Sequence, residues 1–165
     1  QAGAFVFGTA GSAEKLAGAI ELGMNVGINY KEQDFAEVIK DVTSGAGVDV
    51  LIDFIGAPYW DKNIASLAVL GRLVEVGLMG GTKMEVDLRP LMAKRLQVCG
   101  TGLRGRTLGE KLEVTAQFRR HVLPHLASGS MKPIVDRTFP LEEVAEAHKY
   151  METNANFGKI VLTVD

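Results

Sequence analysis

The 165-residue sequence is 47% hydrophobic and 23% charged, an ordinary globular balance that excludes disordered and collagen-like chains. Its 18 Lys and Arg against 20 Asp and Glu leave a formal charge of -2, and no segment gathers basic residues as a nucleic-acid surface would. No apolar run reaches transmembrane length and no basic-then-apolar leader opens the chain, so the sequence reads as a soluble cytoplasmic protein without a membrane partner. Cys99 is the single cysteine; it excludes an intramolecular disulfide and a Cys-rich zinc site, and reads as a small buried apolar residue.

Glycine is the informative excess: 19 of them recur at the ends of short apolar runs, as turn punctuation does in an α/β chain. An apolar run over residues 4–8 predicts a strand, followed by a tight turn and a helix bearing Leu16, Ala19 and Ile20. Gly23 stops that helix, and residues 26–30 read as a second strand. Phe35, Val38, Ile39 and Val42 lie at i, i+3, i+4 and i+7 on one helical face. Residues 48–56, VDVLIDFIG, predict a strand buried on both faces. Pro58 opens a helix carrying Ile64, Leu67 and Ala68 that ends before Gly71, and a strand over 72–76 leaves through Gly77, Gly80 and Gly81. A short helix over 88–96 and a strand over 97–103 follow. Beyond Thr107 the spacing predicts a long helix to about Ser128, a strand over 134–139, a helix over 141–151 and a last strand, KIVLTV.

Strands separated by helices of this length imply right-handed crossovers, hence a doubly wound parallel α/β sheet. Ligands of such sheets bind beyond the carboxyl ends of the strands, where the glycines of this sequence collect. A complete dinucleotide fold would carry G-x-G-x-x-G after its first strand, and this sequence lacks it. Either the fold is another one, or the chain starts at what would be the second strand. On the second reading, the end of the strand at residues 4–8 is where an adenosine ribose is recognised. No acid stands among Thr9, Ala10, Gly11 and Ser12 to bind ribose hydroxyls and repel a 2′-phosphate; a hydroxyl, Ser12, opens the helix and Lys15 follows one turn later. That suits NADP, yet Ser12 as a plain helix cap and Lys15 as a solvated side chain account for the same residues.

The stretches TAGSAEKL, INYKEQDF, GAGVDVLIDFIGAPYW, GRLVEVGLMGG, TGLRGR and LEEVAEAHKYMETNANFGKIVL resemble, in order and spacing, the medium-chain dehydrogenase/reductase family, specifically its zinc-free NADPH:quinone oxidoreductases related to zeta-crystallin. The resemblance implies a partial Rossmann domain over residues 1–106 that lacks its first βα unit, and a segment over 107–165 that returns to the catalytic domain. It implies NADP(H) as cofactor, with Ser12, Lys15 and Tyr30 around the 2′-phosphate. Phe54, Ile55 and Gly56 would pass beneath the cofactor, Gly77, Leu78, Met79 and Gly80 would run beside the nicotinamide and its ribose, Leu103 would approach the carboxamide, and Asn156 and Lys159 would lie on the cofactor's other side. Catalysis would be hydride transfer to a quinone or similar activated double bond, with no metal and no protein acid or base. An enoyl reductase of the same fold and a non-catalytic, crystallin-like nucleotide binder are the alternatives.

His121 and His125 stand at i, i+4, but no third ligand is evident and Pro124 disturbs the turn. His148 reads as a partly buried histidine, and Asp53 as a partner of nearby backbone or cofactor. In strand order 3-2-1-4-5-6 the missing strand is the central one, so the sheet should be interrupted between the strands at 4–8 and 48–53, as in a fragment of a larger enzyme. Family members dimerise through the region of the strand at 97–103, which implies a homodimer with Cys99 near its interface.

Overall fold

The computed structural model describes residues 3–164, which form two compact units, one ending at Gly105 and one starting at Arg106. The first unit alternates strand and helix: β1 (Phe7–Ala10), α1 (Ala13–Glu21), β2 (Val26–Asn29), α2 (Phe35–Val42), β3 (Val48–Asp53), α3 (Trp60–Ser66), β4 (Leu67–Glu75), α4 (Arg89–Lys94) and β5 (Gln97–Gly100). All ladders are parallel, as crossovers through helices require. Yet the strands form two sheets, β1–β2 and β3–β4–β5, with no ladder between β1 and β3. This is the interruption that the strand order 3-2-1-4-5-6 places between the strands expected at 4–8 and 48–53.

Two apolar clusters hold this unit. Ile28 of β2 packs with Phe35 and Ile39 of α2, joined by Val48 and Tyr59. Ile64, Leu67 and Leu73 form the other, closed by Leu51, Trp60, Leu91 and Leu96. The helices α2 and α3 tie the β1–β2 side to the β3–β5 side: the Phe35 and Tyr59 rings lie 5.2 Å apart, and Lys62 reaches the α2 cap Asp34 at 2.9 Å. That hydrogen bond holds the Asp34 carboxyl below its ordinary value.

Several expectations change. The strand at 48–56 is not buried on both faces: Val50 is 56% and Ile52 59% exposed, because α3 and α4 cover one face of the sheet and no described helix of the first unit covers these residues on the other. Cys99, in register with Val74 and Ile52 on that face, is exposed rather than buried. Leu67 and Ala68 belong to β4, not to the preceding helix. Leu67 pairs with Val48, residues 68–71 bulge outward with Leu70 at φ 66°, and pairing resumes at Arg72 with Val50.

The second unit holds α5 (Leu108–His121), α6 (Leu123–Ala127), the parallel pair β6 (Val135–Pro140) and β7 (Lys159–Thr163), and α7 (Val144–Glu152) between them. The single long helix expected from Thr107 is two helices broken at Val122, since Pro124 lacks the N–H a continuous ladder needs. Thr107 and Glu110 close a capping box at the start of α5. Asp136 binds the unit together, accepting from Tyr150 Oη at 2.8 Å and Phe157 N at 2.9 Å. His148 is exposed, not partly buried, because Ala147 takes the inward position of α7.

Candidate functional site

The carboxyl ends of the parallel strands place two groups of residues, both in the first unit. The first lies where β1 and β2 end. Ser12 is extended and caps α1, its Oγ accepting from Lys15 N at 3.3 Å. Lys15 thus enters this geometry through its backbone. Tyr30 follows β2 directly, half exposed, with its hydroxyl over Gly11: a Cβ on Gly11 would stand 2.6 Å from Tyr30 Oη and 3.0 Å from Lys31 Cε. A Cβ there would push the ends of both side chains aside. A hydroxyl, a phenol and an ammonium stem therefore meet at one turn, and no acid ends β1.

Two residues of this group were not anticipated. Lys31 immediately follows the strand-end tyrosine in INYKEQDF, and that adjacency to Tyr30 was its available signal. Glu14 sits in the first turn of α1, where its own backbone N–H and the Ser12 hydroxyl hold its carboxyl below the ordinary value. The anion-favouring start of α1 thus already serves one carboxylate of this chain.

The second group is built by the exits of β3 and β4. Val76 N donates to Asp53 O at 2.8 Å, Met79 N to Phe54 O at 3.1 Å, Gly80 N to Ile55 O at 2.8 Å and Ala57 N to Gly81 O at 3.1 Å. The residues expected beneath and beside a cofactor, 54–56 and 77–80, are therefore zipped into one platform. Gly56 makes it possible. Its φ is 84°, and a Cβ there would stand 2.7 Å from both Gly81 O and Leu78 Cδ2. Beneath the turn, Asp53 Oδ1 accepts from Ile55 N at 2.8 Å, while its Oδ2 accepts from Gly56 N at 2.8 Å and Asn63 Nδ2 at 3.0 Å. Phe54, Leu78 and Met79 are exposed, so the platform presents an apolar rim.

Leu103 is exposed in the turn after β5, whose exit is tied to β4 by Thr101 N on Glu75 O at 2.9 Å. Asn156 and Lys159 belong to the second unit. There Asn156 Nδ2 donates to Gly158 O at 3.1 Å, and Lys159 opens β7 with its N–H on Ile134 O. Among the described residues no three His, Cys, Asp or Glu side chains gather as a metal site would need. His125 Nδ1 instead meets Ser130 Oγ at 3.0 Å. None of the described helices is long and apolar enough to cross a membrane.

The model of the zinc-binding dehydrogenase family matches residues 22–162. The chain belongs to that family. It is 33% identical to a 2-haloacrylate reductase from Burkholderia sp over 97% of its own length and 48% of that protein, and 32% identical to quinone oxidoreductase 1 of Escherichia coli K12 over 97% and 49%. The crystal structure of 2-haloacrylate reductase superposes with a TM-score of 0.82, and that of Escherichia coli quinone oxidoreductase complexed with NADPH with 0.81, at 31% identity over 98% of this chain and 50% of that one. An NAD-dependent alcohol dehydrogenase also superposes with 0.81, at 31% identity over 99% of this chain and 45% of that one. This dehydrogenase-family chain spans about half the length of the relatives it matches.

Proposed function

We propose that this chain is the NADP(H)-binding half of an oxidoreductase that passes hydride to a quinone or a similar activated double bond. The observation that carries the reading is the group at Gly11, where the Tyr30 hydroxyl and the Lys31 stem meet beside Ser12 and no acid ends β1. An NAD site would place a carboxylate there, and its charge would repel a 2′-phosphate. The NADPH complex of a relative and the reductase names of others support the same reading.

When bound, the nicotinamide supplies the hydride. The protein's part is to bind, orient and keep dry. Ser12, Lys15, Tyr30 and Lys31 would hold the phosphate-bearing ribose, the Tyr30 hydroxyl and the ammonium groups donating to the anion and the Ser12 hydroxyl turning to it from Glu14. The backbone of 54–56 and 77–80 would carry the nicotinamide end, its glycines allowing close approach. Phe54, Leu78 and Met79 would exclude water beside the acceptor. Leu103, Asn156 and Lys159 would complete the contacts, with the enzyme a homodimer through β5.

The test is fluorescence titration of NADPH and NADH on the longer protein that carries this sequence. The expected result is preference for NADPH, weakened about tenfold by Lys31→Ala and less by Tyr30→Phe with NADH unaffected, since a charge-assisted contact is worth about 1.5–3 kcal/mol. Equal affinity for the two nucleotides in the parent overturns the NADP reading.

A further inference from the structure

Asp53 and Glu75 close adjacent strands in direct register and point to the same face of the sheet. Asp53 is 4% exposed and takes three N–H donors. On Glu75 the Oε2 is shut off from solvent and meets no hydrogen-bond partner among the described residues. Two carboxyl groups set side by side on paired strands without a cation lack one element, a proton. Asp53 already accepts three N–H donors, which favours its ionised form, so the proton belongs on Glu75, whose hydroxyl then donates to the acceptor site left on Asp53. Among the described residues no other charge acts on Glu75. In register on β5 stands Gly100, the α3 residue at Asp53 is the uncharged Asn63, and Asp53 is the charged group acting on Glu75. Burial and the Asp53 charge together raise the Glu75 carboxyl above its ordinary value of 4.5.

We propose that Glu75 is a positioning residue for the cofactor platform: in its neutral form it donates to the Asp53 carboxylate that clamps Ile55 and Gly56, and its ionisation loosens the joined exits of β3 and β4. The role rests on the reading that these exits carry the nicotinamide end of the cofactor. Neither GRLVEVGLMGG as a motif nor the family membership assigns anything to Glu75; the buried, unpartnered oxygen does.

The sign follows from proton linkage. A raised carboxyl binds its proton more tightly folded than unfolded, so the stabilisation is complete below 4.5 and is lost as pH rises through the raised value. The unfolding constant should increase about tenfold across that rise for each unit by which the acid is raised. Glu75→Gln is isosteric and keeps a donor toward Asp53 at every pH. The experiment compares the longer protein and its Glu75→Gln variant by urea denaturation and NADPH titration from acid to mildly alkaline pH. Ionisation of the nucleotide's own phosphate affects both proteins alike, so the difference between them isolates Glu75. The expected result is a variant with a flatter stability profile, more stable than the parent at the alkaline end, and an NADPH affinity that falls with pH more steeply in the parent. A common stability slope overturns the shared proton, and separate stability slopes with one common NADPH profile overturn the positioning role. NADPH binding by neither protein sinks the cofactor reading itself, and the role with it.

Discussion

Asp53 shows how one side chain can set the shape of a site it does not face. A backbone leaving a parallel strand must turn with unpaired N–H groups, and those of Ile55 and Gly56 find both oxygens of one buried carboxylate. Replacing it by asparagine turns one acceptor oxygen into an NH2 that confronts an N–H donor. Asp53→Asn is therefore expected to destabilise the protein by about 1.5–3 kcal/mol, the range for hydrogen bonds to a charged partner, and to be read as a lower urea midpoint. The contrast with Glu75→Gln is diagnostic, because there the amide relieves a conflict instead of creating one. Gly56 is expected to be as intolerant for a different reason: alanine would meet Gly81 O in a left-handed backbone conformation.

At the scale of elements, the junction of α3 and β4 has no connecting loop, so the last carbonyls of α3 need a donor from elsewhere. Lys94, at the end of α4, supplies it: its Nζ donates to Ile64 O at 3.1 Å, Ala65 O at 2.9 Å and Leu67 O at 2.7 Å. Lys94→Met keeps the apolar stem and removes the donor, so it should cost about 1.5–3 kcal/mol and speed amide exchange in α3 while leaving α2 protected. A glutamine there should recover part of the loss. This junction was also the least legible part of the sequence. The i, i+3 spacing of Ile64 and Leu67 is helical, and nothing local announces that Leu67 will instead pair with Val48 across a four-residue bulge. Where one period dominated, as over Phe35 to Val42, the residues alone placed the helix; where proline cut a helical pattern, as at Pro124, they overextended it. The site divides in the same way. The glycine-marked strand exits are visible, and Lys31 is marked by its adjacency to Tyr30, but Glu75 owes its place to pairing with a strand distant in sequence, and no spacing encodes that.

At the scale of the molecule, two sheets that should be one leave β1 and β3 each with an open edge, and the uncovered face of β3 presents Val50, Ile52 and Phe54 to solvent. Open edges and a contiguous apolar face both invite other chains. The relatives, about twice as long, have sequence to spare for covering them. Produced alone, the 165-residue chain is therefore expected to self-associate, seen as a mass above 17.7 kDa in light scattering, with rapid amide exchange along β1 and β3. In the longer protein the same amides should be protected, since a paired strand exchanges only through opening. Ile52→Lys separates the two causes of association. A lysine on the face blocks burial without touching the backbone edge, so loss of association would assign it to the apolar face, and its persistence would assign it to the unpaired β1 and β3.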